Sequence, residues 1–260
     1  MAVLAALLGC AASCANINPA GLANRTLETV HVQLPAGAAD VDVYWPDATT
    51  PAPMVVIAHG FSRSRHNMSG WGQHLANAGF VVVVPDLPTL FDHARNGRFL
   101  SDLRAHFSAG ASWKMRIDSS RVALMGFSAG GLSSLLSAAE SPGAALWIGL
   151  DPVDVGDLGV RAATLLKSRA VVITAEPSPC NAHGNAKGIV AALPHGEYFS
   201  VAGAVHVDAE WPTSWLAERV CGRSTEDKRA AFVARATQAL HEALAAPALN
   251  AERPGTRSGP

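Results

Sequence analysis

The chain has 260 residues, 49% of them hydrophobic and 16% charged, and a formal net charge of −1. That length suits one domain burying about 70 to 75% of the surface its unfolded chain exposes. The near-zero charge, with no long Lys/Arg cluster, makes nucleic acid a poor partner, and no internal repeat is visible.

Residues 1–14 are apolar and rich in small side chains, like the end of a secretory signal. They are too short to span a bilayer. Leu7-Leu8-Gly9-Cys10 is similar to a bacterial lipobox, whose cysteine is lipidated, although basic residues do not open the segment. Residues 1–20 are therefore expected to be an export leader or lipoprotein-like segment, with membrane attachment at Cys10. Residues 21–246 are expected to form the domain and 247–260 a flexible tail. Within the domain, strand patterns at 29–34 and 42–45 suggest an antiparallel meander around a turn at 35–38. Short aliphatic runs at 54–58, 80–85, 121–125, 145–150, 170–174 and 197–201 alternate with helical stretches. They predict an α/β fold with a mostly parallel sheet covered on both faces. Residues 98–113 hold Phe99, Leu103, His106 and Phe107 as a packed helix face. Residues 224–246 carry Phe232, Val233, Ala236, Leu240 and Leu244 on one stripe, marking a closing helix.

The sequence Gly126-Phe127-Ser128-Ala129-Gly130 writes G-x-S-x-G between an aliphatic strand and a helix with Leu132, Leu135 and Leu136 at helical spacing. That strand, turn and helix context makes Ser128 the candidate nucleophile, with glycines on either side so that helix and strand approach closely. Pro53-Met54-Val55-Val56-Ile57-Ala58 runs straight into His59-Gly60-Phe61. Together these segments resemble the α/β-hydrolase superfamily. The resemblance implies that the backbone amides of Phe61 and Ala129 hold the oxyanion formed when a carbonyl is attacked, each donor contributing about 3 kcal/mol to lowering the barrier. His59 is read as a loop hydrogen-bonder rather than a reactant. The superfamily order of nucleophile, acid and histidine points past the last strand, to His206 after Glu197-Tyr198-Phe199-Ser200-Val201, and away from His183, His195 and His241.

Two strands end in a carboxylate that can orient that histidine: Asp151, which opens Asp151-Pro152-Val153-Asp154, and Glu176 before Pro177. The residues alone leave that choice open. Asn77-Ala78-Gly79-Phe80 with its following strand, the Gly-Phe-Ser-Ala-Gly-Gly elbow, the Asp-Pro-Val-Asp run and the Pro179-Cys180-Asn181-Ala182-His183-Gly184 loop resemble the chlorophyllase branch. They are also similar to dienelactone-hydrolase-like and cutinase-like polyester hydrolases. The chlorophyllase pattern implies Asp151 as the acid, while Phe127 and Ala129 stand where that pattern has histidine and arginine.

Four further readings complete the site. Cys180 and Cys221 lie in loops that the fold can bring together on its rim, and they are expected to form a disulfide if the protein is exported. Trp211 and Trp215 flank the histidine and are candidates for lining a substrate surface, with core packing as the alternative. Arg63-Ser64-Arg65-His66 is read as a solvated loop rather than a contact for an acidic substrate group. No cysteine or histidine pair has metal-ligand spacing, so no metal and no cofactor are expected. The sequence thus predicts a monomeric serine carboxylic-ester hydrolase acting on a small-molecule or polymeric ester. The alternatives are an acyltransferase, a peptidase-like hydrolase or a catalytically idle surface lipoprotein.

Overall fold

Aliphatic runs with no polar face must be covered on both sides, and their number fixes the centre of this molecule. A computed structural model describes residues 27–245 except 111, 112 and 114. The expected leader, the lipidation at Cys10 and the tail at 247–260 lie outside the described residues. The strands are β1 (Leu27–Leu34), β2 (Gly37–Tyr44), β3 (Ala52–Ala58), β4 (Val81–Pro85), β5 (Ile117–Phe127), β6 (Leu146–Leu150), β7 (Arg169–Thr174) and β8 (Gly196–Ser200). They form one eight-stranded sheet in the order β1-β2-β4-β3-β5-β6-β7-β8. β1 and β2 pair antiparallel, as do β2 and β4, and every pairing from β4 through to β8 is parallel.

Successive side chains on a strand point to opposite faces, and the core divides accordingly. Met54, Val56, Val83 and Leu124 pack with Phe99 and Leu103 of helix α2 (His93–Ala109) and with Leu132 and Leu135 of α3 (Ala129–Glu140). Val55, Ile57, Val82 and Met125 pack on the other face with Trp71 and Leu75 of α1 (Ser69–Asn77) and with Phe232, Ala236 and Leu240 of α7 (Glu226–Ala243). β4 and β6 are buried along their whole length, whereas β1 and β8, at the two edges, alternate in exposure. Three shorter helices complete the fold: α4 (Leu158–Leu165), α5 (Ala186–Ala192) and α6 (Trp215–Cys221).

Element boundaries differ from expectation where small or polar residues mask the pattern. β2 begins at Gly37 rather than 42, because Gly37, Ala39 and Val41 alternate inward although only the last is a strong strand former. α2 starts at His93, five residues before the expected helix, where the Asp92 side chain accepts the Arg95 amide at 2.8 Å as an N-cap. It stops at Ala109, ahead of Gly110.

Candidate active site

Parallel strands place their carboxyl ends on one edge of the sheet, and the loops leaving that edge carry the candidate residues. β5 runs into Ser128, whose φ of 54° and ψ of −123° turn the chain directly into α3. That backbone is strained for a residue with a side chain. It is held by Ser128 N–H donating to the Leu150 carbonyl at 3.0 Å and by Gly131 N–H donating back to the Ser128 carbonyl at 2.9 Å. The flanking glycines are obligatory. A Cβ on Gly126 would stand 2.2 Å from the Gly130 carbonyl oxygen, and one on Gly130 2.2 Å from that of His59.

His206 lies beyond β8. Its Nε2 is 2.9 Å from Ser128 Oγ and its Nδ1 is 2.6 Å from Asp151 Oδ2. With Nδ1–H donating to Asp151, Nε2 presents its lone pair to the Ser128 hydroxyl. The imidazole packs on Phe127, ring centroids 4.7 Å apart. Asp208 fixes the turn, accepting the amides of Val205 at 2.7 Å and Thr225 at 2.8 Å.

Asp151 is 0% exposed. Beyond His206, it accepts the Ala175 amide at Oδ1 (3.2 Å) and Asn181 Nδ2 at Oδ2 (3.1 Å). The other candidate carboxylates do not reach the histidine. Glu176 is exposed and takes the Gly203 amide at 3.2 Å, while Asp154 caps the start of α4 through Gly159 (2.6 Å) and Val160 (3.1 Å). Asn181 was not singled out from the sequence. Its one signal is the Ser178-Pro179-Cys180-Asn181 turn, in which Asn181 Oδ1 accepts the Ser178 amide at 2.8 Å.

On the opposite side, Gly60 is buried beside the elbow, and among the described residues no acceptor takes the amide of Phe61 or Ala129. His59 secures this loop. Its Nε2 accepts the Leu87 amide at 2.9 Å, so Nδ1 donates to the Gly60 carbonyl, also at 2.9 Å. Burial pushes its pKa below the ordinary histidine value, which keeps the ring neutral for that role.

Between these elements lies a cleft of about 340 Å³, walled by Phe61, Phe127, Leu216, Val220 and the Cys180–Cys221 disulfide. Of the two tryptophans read as either substrate lining or core packing, neither lines it, and Trp211 packs against the core. Trp211 packs its indole on Gly70, where even a Cβ would sit 2.3 Å from the ring. Trp215 is 76% exposed, one residue off the Leu216 and Val220 stripe that α6 turns to the cleft. The arginine loop also differs from expectation, because it is ion-paired rather than solvated. Arg63 Nε donates to Glu210 at 2.5 Å, and Arg65 pairs with Asp42 at 3.1 Å and with Asp86. The Glu210 and Asp42 carboxylates are buried and need a cation. Burial raises the pKa of Glu210, and Arg63 opposes the rise.

Among the described residues, no group of three or more His, Cys, Asp or Glu side chains is placed to hold a metal ion, and no helix is long and apolar enough to cross a membrane.

A family model described as PET hydrolase-like matches residues 8–204. The chain belongs to the PET hydrolase-like family. Over 113 residues this PET hydrolase-like chain is 34% identical to a bis(hydroxyethyl) terephthalate hydrolase of Streptomyces coelicolor, a match covering 42% of the chain and 36% of that protein. Over 114 residues it is 32% identical to Cutinase 2 of Thermobifida cellulosilytica, covering 42% of the chain and 43% of the cutinase. The chain thus spans well under half the length of these curated relatives. A dienelactone hydrolase structure from Anabaena variabilis superposes with a TM-score of 0.68 at 17% identity, covering 85% of this chain and 99% of that one. This likeness, with the sheet order above, shows the α/β-hydrolase fold.

Proposed function

We propose that the protein is a serine carboxylic-ester hydrolase that works through an acyl-enzyme. The observation that carries this reading is the unbroken relay from Ser128 Oγ through His206 to Asp151, with contacts of 2.9 and 2.6 Å. Ser128 Oγ attacks the ester carbonyl as His206 Nε2 takes its proton. The carbonyl oxygen, now an oxyanion, is held by the Phe61 and Ala129 amides, which have no competing acceptor among the described residues. Asp151 holds the imidazole in its reactive tautomer and stabilises the imidazolium. His206 then returns the proton to the departing alcohol, and a water activated by the same nitrogen releases the acid. Asn181 fixes Asp151 from behind. The names of the relatives, hydrolases of a terephthalate ester and cutinases, support ester substrates, and the open apolar cleft suits an aromatic or aliphatic ester, small or polymeric. The disulfide supports an oxidising compartment and hence export.

The test is p-nitrophenyl butyrate hydrolysis together with fluorophosphonate labelling. Wild type should turn over and label, and folded Ser128→Ala should lose both, with kcat lower by about 10⁵ to 10⁶. Unchanged turnover in that variant would rule out the mechanism.

A further inference from the structure

A second cavity, of about 40 Å³, lies behind the Phe61-Ser62-Arg63 loop; it shares those residues with the cleft and reaches Ala129. That volume has room for about three water-sized groups. Part of its wall is apolar, with Phe61 resting on Phe91 at 5.3 Å between ring centroids. Most of its polar lining is already engaged. Asn96 accepts the Thr89 amide at 3.1 Å and donates to the Thr89 carbonyl at 2.9 Å. Ser133 donates to the Ala129 carbonyl at 3.2 Å, and both ring nitrogens of His59 are bonded. Arg63 is neutralised by Glu210.

His93 is different. It is 8% exposed, at the start of α2, and its Nδ1 is buried without a partner. Among the described residues nothing bonds Nε2 either, and that is the ring nitrogen left to meet the cavity. Burial lowers the His93 pKa against the pull of Asp92, so the ring is neutral at pH 7. A neutral ring with Nδ1 enclosed is best carried as the Nε2–H tautomer, since an enclosed N–H would be a stranded donor. Beside the exposed Ser62 hydroxyl and an ion pair with no net charge, the cavity therefore offers one buried uncharged donor. That chemistry matches an uncharged oxygen acceptor and not a carboxylate.

Building on the ester-hydrolase reading, we propose that this cavity is an acyl-side subsite. In it, His93 Nε2–H donates to an ether or keto oxygen on a short acyl chain while Ser128 attacks that chain's ester carbonyl. A site that pairs a buried donor with a substrate oxygen discriminates against the analogue lacking that oxygen, because the donor is then left unpaired. The matched substrates are p-nitrophenyl methoxyacetate and p-nitrophenyl butyrate, which differ by one oxygen for one methylene. Comparing their kcat/KM ratio between proteins cancels their intrinsic reactivities. His93→Leu should lower the methoxyacetate-to-butyrate ratio about tenfold while leaving butyrate within about threefold, and His93→Gln, which keeps a donor, should recover part of the ratio. An unchanged ratio in His93→Leu overturns the proposal. So does a wild-type preference for the hemisuccinate ester over methoxyacetate. If His93→Leu does not fold, the same ratio is read in His93→Gln and His93→Phe. If wild type cleaves none of these esters, the hydrolase reading fails by itself, and the subsite is decided by titrating methyl methoxyacetate and methyl butyrate into the intact protein. A shift of the His93 Nε2–H imidazole resonance with the ether alone supports it, and equal spectra overturn it.

Discussion

The 178–181 turn that braces Asp151 and helix α6 are joined by the Cys180–Cys221 disulfide, yet the two sides treat water in opposite ways. On the acid side the Asp151 carboxylate is enclosed and paired: it takes bonds from His206, Ala175 and Asn181, and Asn181 in turn closes its own turn. On α6, Leu216 and Val220 stand exposed on the side turned to the cleft, and within the helix only Ala217 is buried. Exposed apolar side chains beside a nucleophile contribute little to folding and are suited to meeting substrate. Reacting groups, by contrast, need a shell that fixes them to within a fraction of an ångström. The comparison separates residues whose loss should change kcat from those whose loss should change KM.

The strongest way to break it is Asp151→Asn, which removes the imidazolium's counter-charge and the correct tautomer. It should lower kcat by at least about a hundredfold, and by about 10⁴ if it matches the serine-protease case. Glu176→Gln should stay within about threefold, and Asp154→Asn should instead cost about 1 kcal/mol of stability, because one of the two oxygens that accept the Gly159 and Val160 amides becomes a donor. Steady-state kinetics and thermal melts on the three variants check this, and a crippled Glu176→Gln would move the acid one strand outward.

Asn181→Asp comes next. It keeps the acceptor for the Ser178 amide but sets a second carboxylate against Asp151. The donor that holds Asp151 Oδ2 is lost and like charge faces like, so the acid is no longer fixed against His206 and kcat should fall by about tenfold. Steady-state kinetics identical to wild type would reduce Asn181 to a loop brace.

Joining the two regions covalently has its own signature. The disulfide spans 41 residues, and Cys180→Ser with Cys221→Ser should lower stability by about 3 to 4 kcal/mol in the chain-entropy model. Chemical denaturation of oxidised and double-mutant protein measures it. The smallest effect is expected on the apolar side. Leu216→Ser with Val220→Ser should raise KM for a hexanoate ester by about tenfold while leaving kcat on acetate within about twofold. Equal losses on both esters would mean that α6 acts on the reacting groups after all.

What the sequence showed depended on how local the cause was. Ser128 was legible because the strained turn, its two glycines and the flanking strand and helix lie within one short segment. The choice between Asp151 and Glu176 was not, because it rests on pairing between distant strands. Leu150 pairs with Phe127 on β5, which sets Asp151 beside Ser128, whereas β7 lies one strand farther away. Asn181 acts across 30 residues on a buried carboxylate, and no periodicity reports such a contact. The tryptophans stayed open between lining and core because proximity to His206 in sequence says nothing about which way an indole points. Trp211 found Gly70, a partner more than a hundred positions away. The arginines misled for a related reason, since their need arises from Glu210 and Asp42, carboxylates that only the fold buries.

The contact between Gly126 and Gly130 also sets where this scaffold can change. With a carbonyl oxygen 2.2 Å from either missing Cβ, a side chain at Gly126 would prise β5 from α3 and one at Gly130 would prise α3 from the end of β3, so saturation libraries at the elbow should return glycine and little else. Diversity aimed at new esters belongs in the exposed part of the loop at 90–91 and on α6. Those surfaces can vary while the reacting geometry is inherited unchanged.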